Sequence, residues 1–283
     1  MEAPVCSDIL DLPGNIESRV FQCRDCGFKF LHPCYGDTDI NRIYESRYFT
    51  GDRAEGQNYV APVSGTAYQE YADARIQKFE YSLQLIEKMF PKARSIVDVG
   101  SATGEFLTLA KSRGFESLGI EISEYAAAVA REKHNLDIRV GTLEQFVTPK
   151  HYDVVHLNHI LEHCVDPHRA VEALSKIVPG GGAVYVEVPF QFNWVELTNY
   201  WVRKKKLTFN VHSIHHPLFF SPSTLKSLFA THSFSPAFMR VFDWRRYPRT
   251  GVVDWGKCVA WKALSALQQG GFIEAIFVKK DAK

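Results

Sequence analysis

From residue 95 the chain reads SIVDVGSATGEFL: an apolar strand-like run, an acid at Asp98, a turn carrying Gly100 and Gly104, and the start of an apolar-periodic segment. Strand, tight turn and helix in this order restrict the fold more than any other stretch. Gly100 and Gly104 give the turn backbone conformations that a side chain would oppose, and they allow close approach of a ligand. The unpaired N–H groups at the start of the following helix suit an anionic or polar group. The pattern by itself leaves a dinucleotide, a methionine-derived cofactor or no ligand open.

The segments around the turn alternate in period. A helix is expected over 66–90, where Tyr71, Ile76, Phe79, Leu83, Ile86 and Phe90 recur every three to four residues and Pro91 ends the run. Strands are expected at Ser95–Val99, Ser117–Ile122, Asp137–Val140, Asp153–Leu157 and Ala183–Val188, with helices at Glu105–Arg113, from Ser123 to about His134, and over 168–178. Ser221 should cap a further helix with Pro222 at its first position. Two last strands are expected at 236–242 and 272–279, with a helix near 255–269 between them. This alternation predicts an α/β protein, a Rossmann-like doubly wound, mostly parallel seven-stranded sheet with helices on both faces. Residues 1–65 show little period and read as a small separate module, leaving 66–283 as the main domain with an insertion at 189–217.

Composition sets outer bounds. A chain of 283 residues with 46% hydrophobic residues supports one sizeable core and a small appendage. Lys+Arg number 33 against 32 Asp+Glu, so there is no net pull towards nucleic acid or an anionic membrane. No apolar run reaches the ~20 residues that span a bilayer. The stretch Met1–Leu12 carries acids and lacks the basic start of a signal peptide, which makes a cytoplasmic protein the expectation.

The second strand sharpens the ligand. It ends at Glu121, 21 residues beyond Gly100, where a carboxylate can accept hydrogen bonds from both hydroxyls of a ribose. An adenosine-like group is the ligand this spacing points to, the alternative being a solvated strand-end acid. The spacing Gly100–Gly104 is G-x-x-x-G and not G-x-G-x-x-G, which argues against a nicotinamide oxidoreductase.

The motifs VDVGSATGEF, GIEIS, YDVVHLNHILEHCVDPHRAV and PGGGAVYVEVP, in this order from about Lys92 to Val188, resemble those of the class I S-adenosylmethionine-dependent methyltransferases. The resemblance implies S-adenosylmethionine as cofactor. Asp98, Gly100, Ser101, Ala102, Thr103, Gly104 and Phe106 would surround its methionine part, and Glu121 its ribose. Ile122 would lie against the adenine, Thr142, Leu143 and Glu144 at the adenine edge, and Asn158, His159 and Ile160 on the sulfonium side. The family's usual loop has glycine where this chain has Ala102, so a slightly altered loop with retained binding is expected.

Methyl transfer needs a nucleophile held close to the sulfonium carbon and a base for its proton. Two histidine sets offer one: His159 and His163 with Glu162 in NHILEH, and His212, His215 and His216 in NVHSIHHPLFFSPSTL. In related sugar and small-molecule methyltransferases a histidine before an apolar-FS-x-x-(T/S)-L segment faces the acceptor; His216 matches best, then His215, with His163 the third candidate. Packing within turns and loops is the alternative role for each. The insertion mixes aromatics with Arg203, Lys204, Lys205 and Lys206, and Trp244, Arg245, Arg246 and Arg249 make a second such cluster; each reads either as an acceptor contact or as a solvated surface.

Four of six cysteines, Cys6, Cys23, Cys26 and Cys34, fall in the first 34 residues. Cys23 and Cys26 form a C-x-x-C-G knuckle of the kind that holds zinc. The start is similar to the N-terminal zinc-binding modules, CPVCG followed by C-x-x-CG, of methyltransferases in modified-sugar pathways, with Ala3 in place of the first ligand. Cys6, Cys23 and Cys26 are therefore candidate zinc ligands if a further donor completes the set; otherwise the module has lost its metal. The expected reaction is methylation of a hydroxyl on a sugar, sugar nucleotide or natural-product intermediate, a small-molecule acceptor with neither nucleic acid nor membrane as partner. Carbon or nitrogen methylation and a non-catalytic cofactor-binding module are the rivals.

Overall fold

A computed structural model describes residues 10–12, 16–34, 72–202, 216–242, 263 and 266–281. The strands are β1 (Leu10–Leu12), β2 (Ile16–Gln22), β3 (Lys29–His32), β4 (Ser95–Val99), β5 (Glu116–Glu121), β6 (Ile138–Val140), β7 (Val154–Asn158), β8 (Ala183–Pro189), β9 (Leu218–Phe219), β10 (Phe234–Phe242) and β11 (Phe272–Lys279). The helices are α1 (Ala72–Met89), α2 (Glu105–Ser112), α3 (Glu124–His134), α4 (Pro167–Ile177), α5 (Trp194–Val202) and α6 (Pro222–Ala230), with 3-10 turns at Leu143–Gln145 and Leu161–His163.

Seven strands form one sheet in the order β10-β11-β8-β7-β4-β5-β6. β4 pairs in parallel with β5 and with β7, and β5 with β6, while β10 and β11 close one edge as an antiparallel pair. The expected Rossmann-like, mostly parallel α/β sheet is present. Its winding reverses at β4: β5 and β6 follow on one side, and β7 returns on the other. That reversal is a topological switch point, the place where open α/β sheets take ligands at the carboxyl ends of their strands. All five residues of β4 are buried, so its sequence shows no alternation of apolar and exposed positions, and its polar residues Ser95 and Asp98 are met by partners.

Local chemistry explains the helix ends. Ser123 caps α3 by accepting from the Ala126 N–H at 3.4 Å, and Asn135 ends it in the left-handed region at φ 49°. Ser221 and Thr224 form a reciprocal capping box at α6, with Pro222 in its first turn. The expected helix near 255–269 falls largely outside the described residues.

The chain divides into two compact units: Met1–Tyr35, Asn158–Val171 and Tyr185–Ala282 in one, Gly36–Leu157 and Glu172–Val184 in the other. The first contains an antiparallel sheet ordered β1-β2-β3-β9, in which Lys29 pairs with Phe219 and Phe30 with Leu218. These strands were not expected from a segment with so little period. They are short, and β9 has only two residues, too few for an alternation to register. The same unit buries Glu274 of β11. The Tyr185 hydroxyl donates to one of its oxygens at 2.6 Å and the Arg240 Nε–H to the other at 2.5 Å. The expected boundary between residues 65 and 66 lies outside the described residues. No described helix is long and apolar enough to cross a membrane.

In the second unit Asp153, just before β7, clips the start of β4. Its Oδ2 accepts from the Arg94 N–H at 2.8 Å, the Ser95 N–H at 3.0 Å and the Ser95 hydroxyl at 2.9 Å. Partial burial works to raise its pKa, and these donors more than offset that, leaving it below the usual carboxylate range. A depressed native pKa adds stability above the unfolded value of about 3.9 and loses it as pH falls through the native value. Asp153→Asn should therefore lower the urea midpoint at neutral pH, and the gap to the parent should close on acidification below about pH 4. A gap that stays constant down to pH 2.5, an order-of-magnitude endpoint below that range, would mean the clip is not ionic.

Candidate functional site

The second unit carries the glycine-turn site. Gly100 and Gly104 hold φ of 73° and 91°, the left-handed values the sequence implied. Ala102 also lies there, at φ 47°. The alanine therefore holds a conformation that favours glycine. The Ala102 N–H donates to Glu121 Oε2 at 2.8 Å, while the Ser123 N–H donates to Oε1 at 2.8 Å. Glu121 is 4% exposed. Burial raises its pKa, and the N–H groups of Ser123 and Ala102 oppose the rise. The carboxylate is fixed in place, with one backbone donor on each oxygen and a lone-pair site on each for a further donor.

Beside it, Asp98 is paired with His156, Nδ1 to Oδ1 at 2.7 Å, both buried. Burial raises the Asp98 pKa and His156 works against it. The Phe106 ring stacks on the His156 imidazole at 3.7 Å and 5°. Phe106 is 1% exposed, so its side chain has no surface for a ligand; what it can offer is an N–H in the first turn of α2. His156 was not singled out from sequence. A histidine in the otherwise apolar DVVHL strand was the available signal.

The turn fits a polar ligand on two observations. Ser101 Oγ is buried with no hydrogen-bond partner, and an unmet buried hydroxyl is costly unless something reaches it. Gly104 caps α2 without a side-chain bond, so the first-turn N–H groups stay available. Thr103 bonds Glu105 through its hydroxyl at 2.7 Å. Further along, Ile122 and Thr142 are half-buried while Leu143 is buried in its 3-10 turn, and the Gly141 N–H donates to the Glu121 carbonyl at 2.9 Å.

The first unit carries the histidine site. Asn158 ends β7 with its Oδ1 buried and unbonded. His159 follows at φ 58°. Its Nδ1 lies 2.9 Å from Glu162 Oε1 and its Nε2 3.2 Å from Glu187 Oε1, both carboxylates fully buried. Two carboxylates on one imidazole call for donors at both nitrogens, the protonated ring. Burial would raise the Glu162 pKa, but His159 first, then His163 and His216, bring it down to about 2. His163 and His216 meet edge to face with ring centroids 4.7 Å apart. The Gln191 amide sits 2.9 Å from His216 Nδ1. The structure thus brings His163 and His216 together around Glu162. Glu187 and Gln191 belong to this group and were missed, being isolated polar residues in the apolar AVYVEVPFQF run. His212, His215 and the basic clusters at 203–206 and 244–249 lie outside the described residues.

Cys23 and Cys26 sit on the turn between β2 and β3, where the Gly27 N–H donates to the Cys23 carbonyl at 3.0 Å. Hydrogen bonds from the Cys26 and then the Asp25 backbone lower the Cys23 thiol pKa, whereas burial raises that of Cys34. Cys6 is outside the described residues. Two thiols do not make a tetrahedral zinc site, and the described residues do not complete one here.

A family model for a methyltransferase domain matches residues 68–236, more than half of the chain. The chain belongs to this family. Its fold is that of the class I S-adenosylmethionine-dependent methyltransferases. Over 99 residues it is 31% identical to a ubiquinone biosynthesis O-methyltransferase of Nitrosomonas europaea, a stretch covering 32% of this chain and 42% of that protein. Over 101 residues it is 34% identical to the protein of the same name from Pseudomonas paraeruginosa, covering 33% of this chain and 43% of that one. The chain spans less than half the length of the curated relatives it matches. A SAM-dependent methyltransferase from Archaeoglobus fulgidus aligns with a TM-score of 0.50 at 19% identity, over 71% of this chain and 94% of that one. SpnF, a [4+2]-cyclase, aligns with a TM-score of 0.52 at 16% identity, over 74% of this chain and 83% of its own. Those two likenesses are of fold.

Ala102→Gly should remove the left-handed alanine penalty and raise stability by roughly 0.5–1 kcal/mol after the glycine entropy cost. The check is the urea midpoint; a fall would show that the loop accepts alanine without strain.

Proposed function

We propose that this protein transfers the methyl group of S-adenosylmethionine to a hydroxyl of a small polar acceptor. The observation that carries the reading is the buried Glu121 carboxylate, held at the end of β5 by two backbone donors with a lone-pair site left on each oxygen. Vicinal ribose hydroxyls are the ligand that fits two parallel acceptors of this kind. When bound, the cofactor supplies an electrophilic methyl group on a positively charged sulfur.

The chain's own residues do the rest. Glu121 would orient the ribose, Ser101 Oγ and the first-turn N–H groups of α2 would take the amino-acid end, and His156 holds Asp98 in one rotamer beside them. His216, or His163 with it, would take the proton of the acceptor hydroxyl. Gln191 positions this ring: its amide nitrogen lies 2.9 Å from His216 Nδ1 and donates to it. The O-methyltransferase names of the curated relatives support oxygen as the nucleophile. Their aligned stretch covers a third of this chain, and a sugar, sugar nucleotide or natural-product hydroxyl remains the acceptor class proposed here.

Calorimetry with S-adenosylhomocysteine tests the reading at its first step. The parent should bind, and Glu121→Ala should weaken binding by roughly 1.5–3 kcal/mol, the loss of a charge-assisted hydrogen-bond pair. Absent binding by the parent removes the methyl-transfer proposal; equal affinity of the variant removes the role given to Glu121.

A further inference from the structure

We infer that Glu162, His163 and His216 form a binding site for a divalent first-row transition-metal ion. One ligand atom from each of the three lies within 4.8 Å of the others. Donors on a common ion at about 2.0–2.2 Å stand at most about 4.4 Å apart, so the three side chains would draw together by rotamer adjustment on binding. The donor set, two imidazoles and one carboxylate, is the mixed nitrogen and oxygen type that zinc, cobalt and their neighbours accept and that calcium and magnesium do not favour.

Two features set this cluster apart from a routine ion-pair network. Glu162 is fully buried, yet only its Oε1 has a hydrogen-bond partner: His159 takes that oxygen, and Oε2 is buried with no hydrogen bond. A buried carboxylate oxygen left unmet is costly for a fold to keep. A cation at Oε2 removes that cost. The second feature is the shell behind the donors. His159 fixes the Glu162 carboxylate and is itself held by Glu187 at 3.2 Å, while the Gln191 amide nitrogen stands at 2.9 Å from His216 Nδ1. Ligating imidazoles and carboxylates characteristically have partners that orient them. Three protein donors would leave positions open for oxygen atoms of a small molecule or water.

The site lies wholly within one unit and does not depend on the methyl-transfer reading, so its test needs no cofactor. The full chain, stripped with a chelator, is titrated with Co²⁺ and followed by absorbance. Nitrogen and oxygen ligation gives weak visible ligand-field bands, whereas ions taken by the Cys23–Cys26 knuckle add an intense near-ultraviolet thiolate band. The expected result is one equivalent that gives the visible bands alone and persists in Cys23→Ser/Cys26→Ser. His163→Gln and His216→Gln should each weaken that equivalent by 10-fold or more, on the order of ligand-shell losses. His163 is half-exposed, so its variant should fold, as circular dichroism would verify, and keep the inference testable if His216→Gln does not. A titration showing thiolate bands only, or visible bands of equal affinity in folded His163→Gln, overturns the assignment.

Discussion

A buried carboxylate at the end of β5 is costly to ionise, and how the fold meets that cost decides the shape of everything around it. Glu121 draws an N–H from the turn after β4 and another from the start of α3. Ser123 then serves twice, its N–H on Glu121 and its hydroxyl on the first turn of α3. Ala102, in the left-handed region, gives its N–H to Glu121, so one residue of the turn carries both backbone strain and a contact to the carboxylate. A neutral glutamine here would keep a single acceptor atom and lose the pairing with one of the two donors.

The same logic recurs wherever this protein buries an acid. Asp98 is met by His156, which is itself clamped under Phe106. Glu274 is met by Tyr185 and Arg240 from the strands on either side of β11. Glu162 and Glu187 share His159. Such pairs return little net stability against well-packed apolar residues, and their breakage leaves a lone charge that is costly. Glu162 is the exception that carries information. Its second oxygen is the one carboxylate atom among the described residues that is buried and left without a partner.

Much of this arrangement could be read from the sequence because it depends on local chemistry. The apolar SIVDV strand, the glycines at 100 and 104 and the Ser123 and Ser221 caps each act over a few residues, and the structure places them within one or two residues of expectation; α1 ends within one residue of it, its expected start lying outside the described residues. The acid at Glu121 was legible because a strand end fixes where a side chain points. What escaped depends on distant pairing. Nothing near residue 29 announces that Lys29 and Phe30 will meet Phe219 and Leu218, nor that Glu187 will face His159. Phe106 was assigned to the ligand because it follows the turn; its partner His156 is 50 residues away in sequence, and the stacking that withdraws the ring from the ligand is invisible without it.

The two sites differ in how much of their chemistry the fold imposes. Strand ends, a glycine turn and a helix start build the glycine-turn site from the backbone outward, and Glu121 narrows what it can bind. The histidine site is assembled from single side chains in the Leu161–His163 turn, on β8, and near Gln191 and His216, each of which can change without disturbing a strand. One fold aligns with both a methyltransferase and a [4+2]-cyclase, so the fold alone does not name the chemistry. A buried carboxylate with one oxygen left open and two imidazoles beside it suit a group that brings positive charge or gives up a proton. A metal ion does the first and an acceptor hydroxyl the second, and an ion with open positions would serve both by binding the hydroxyl and lowering its pKa.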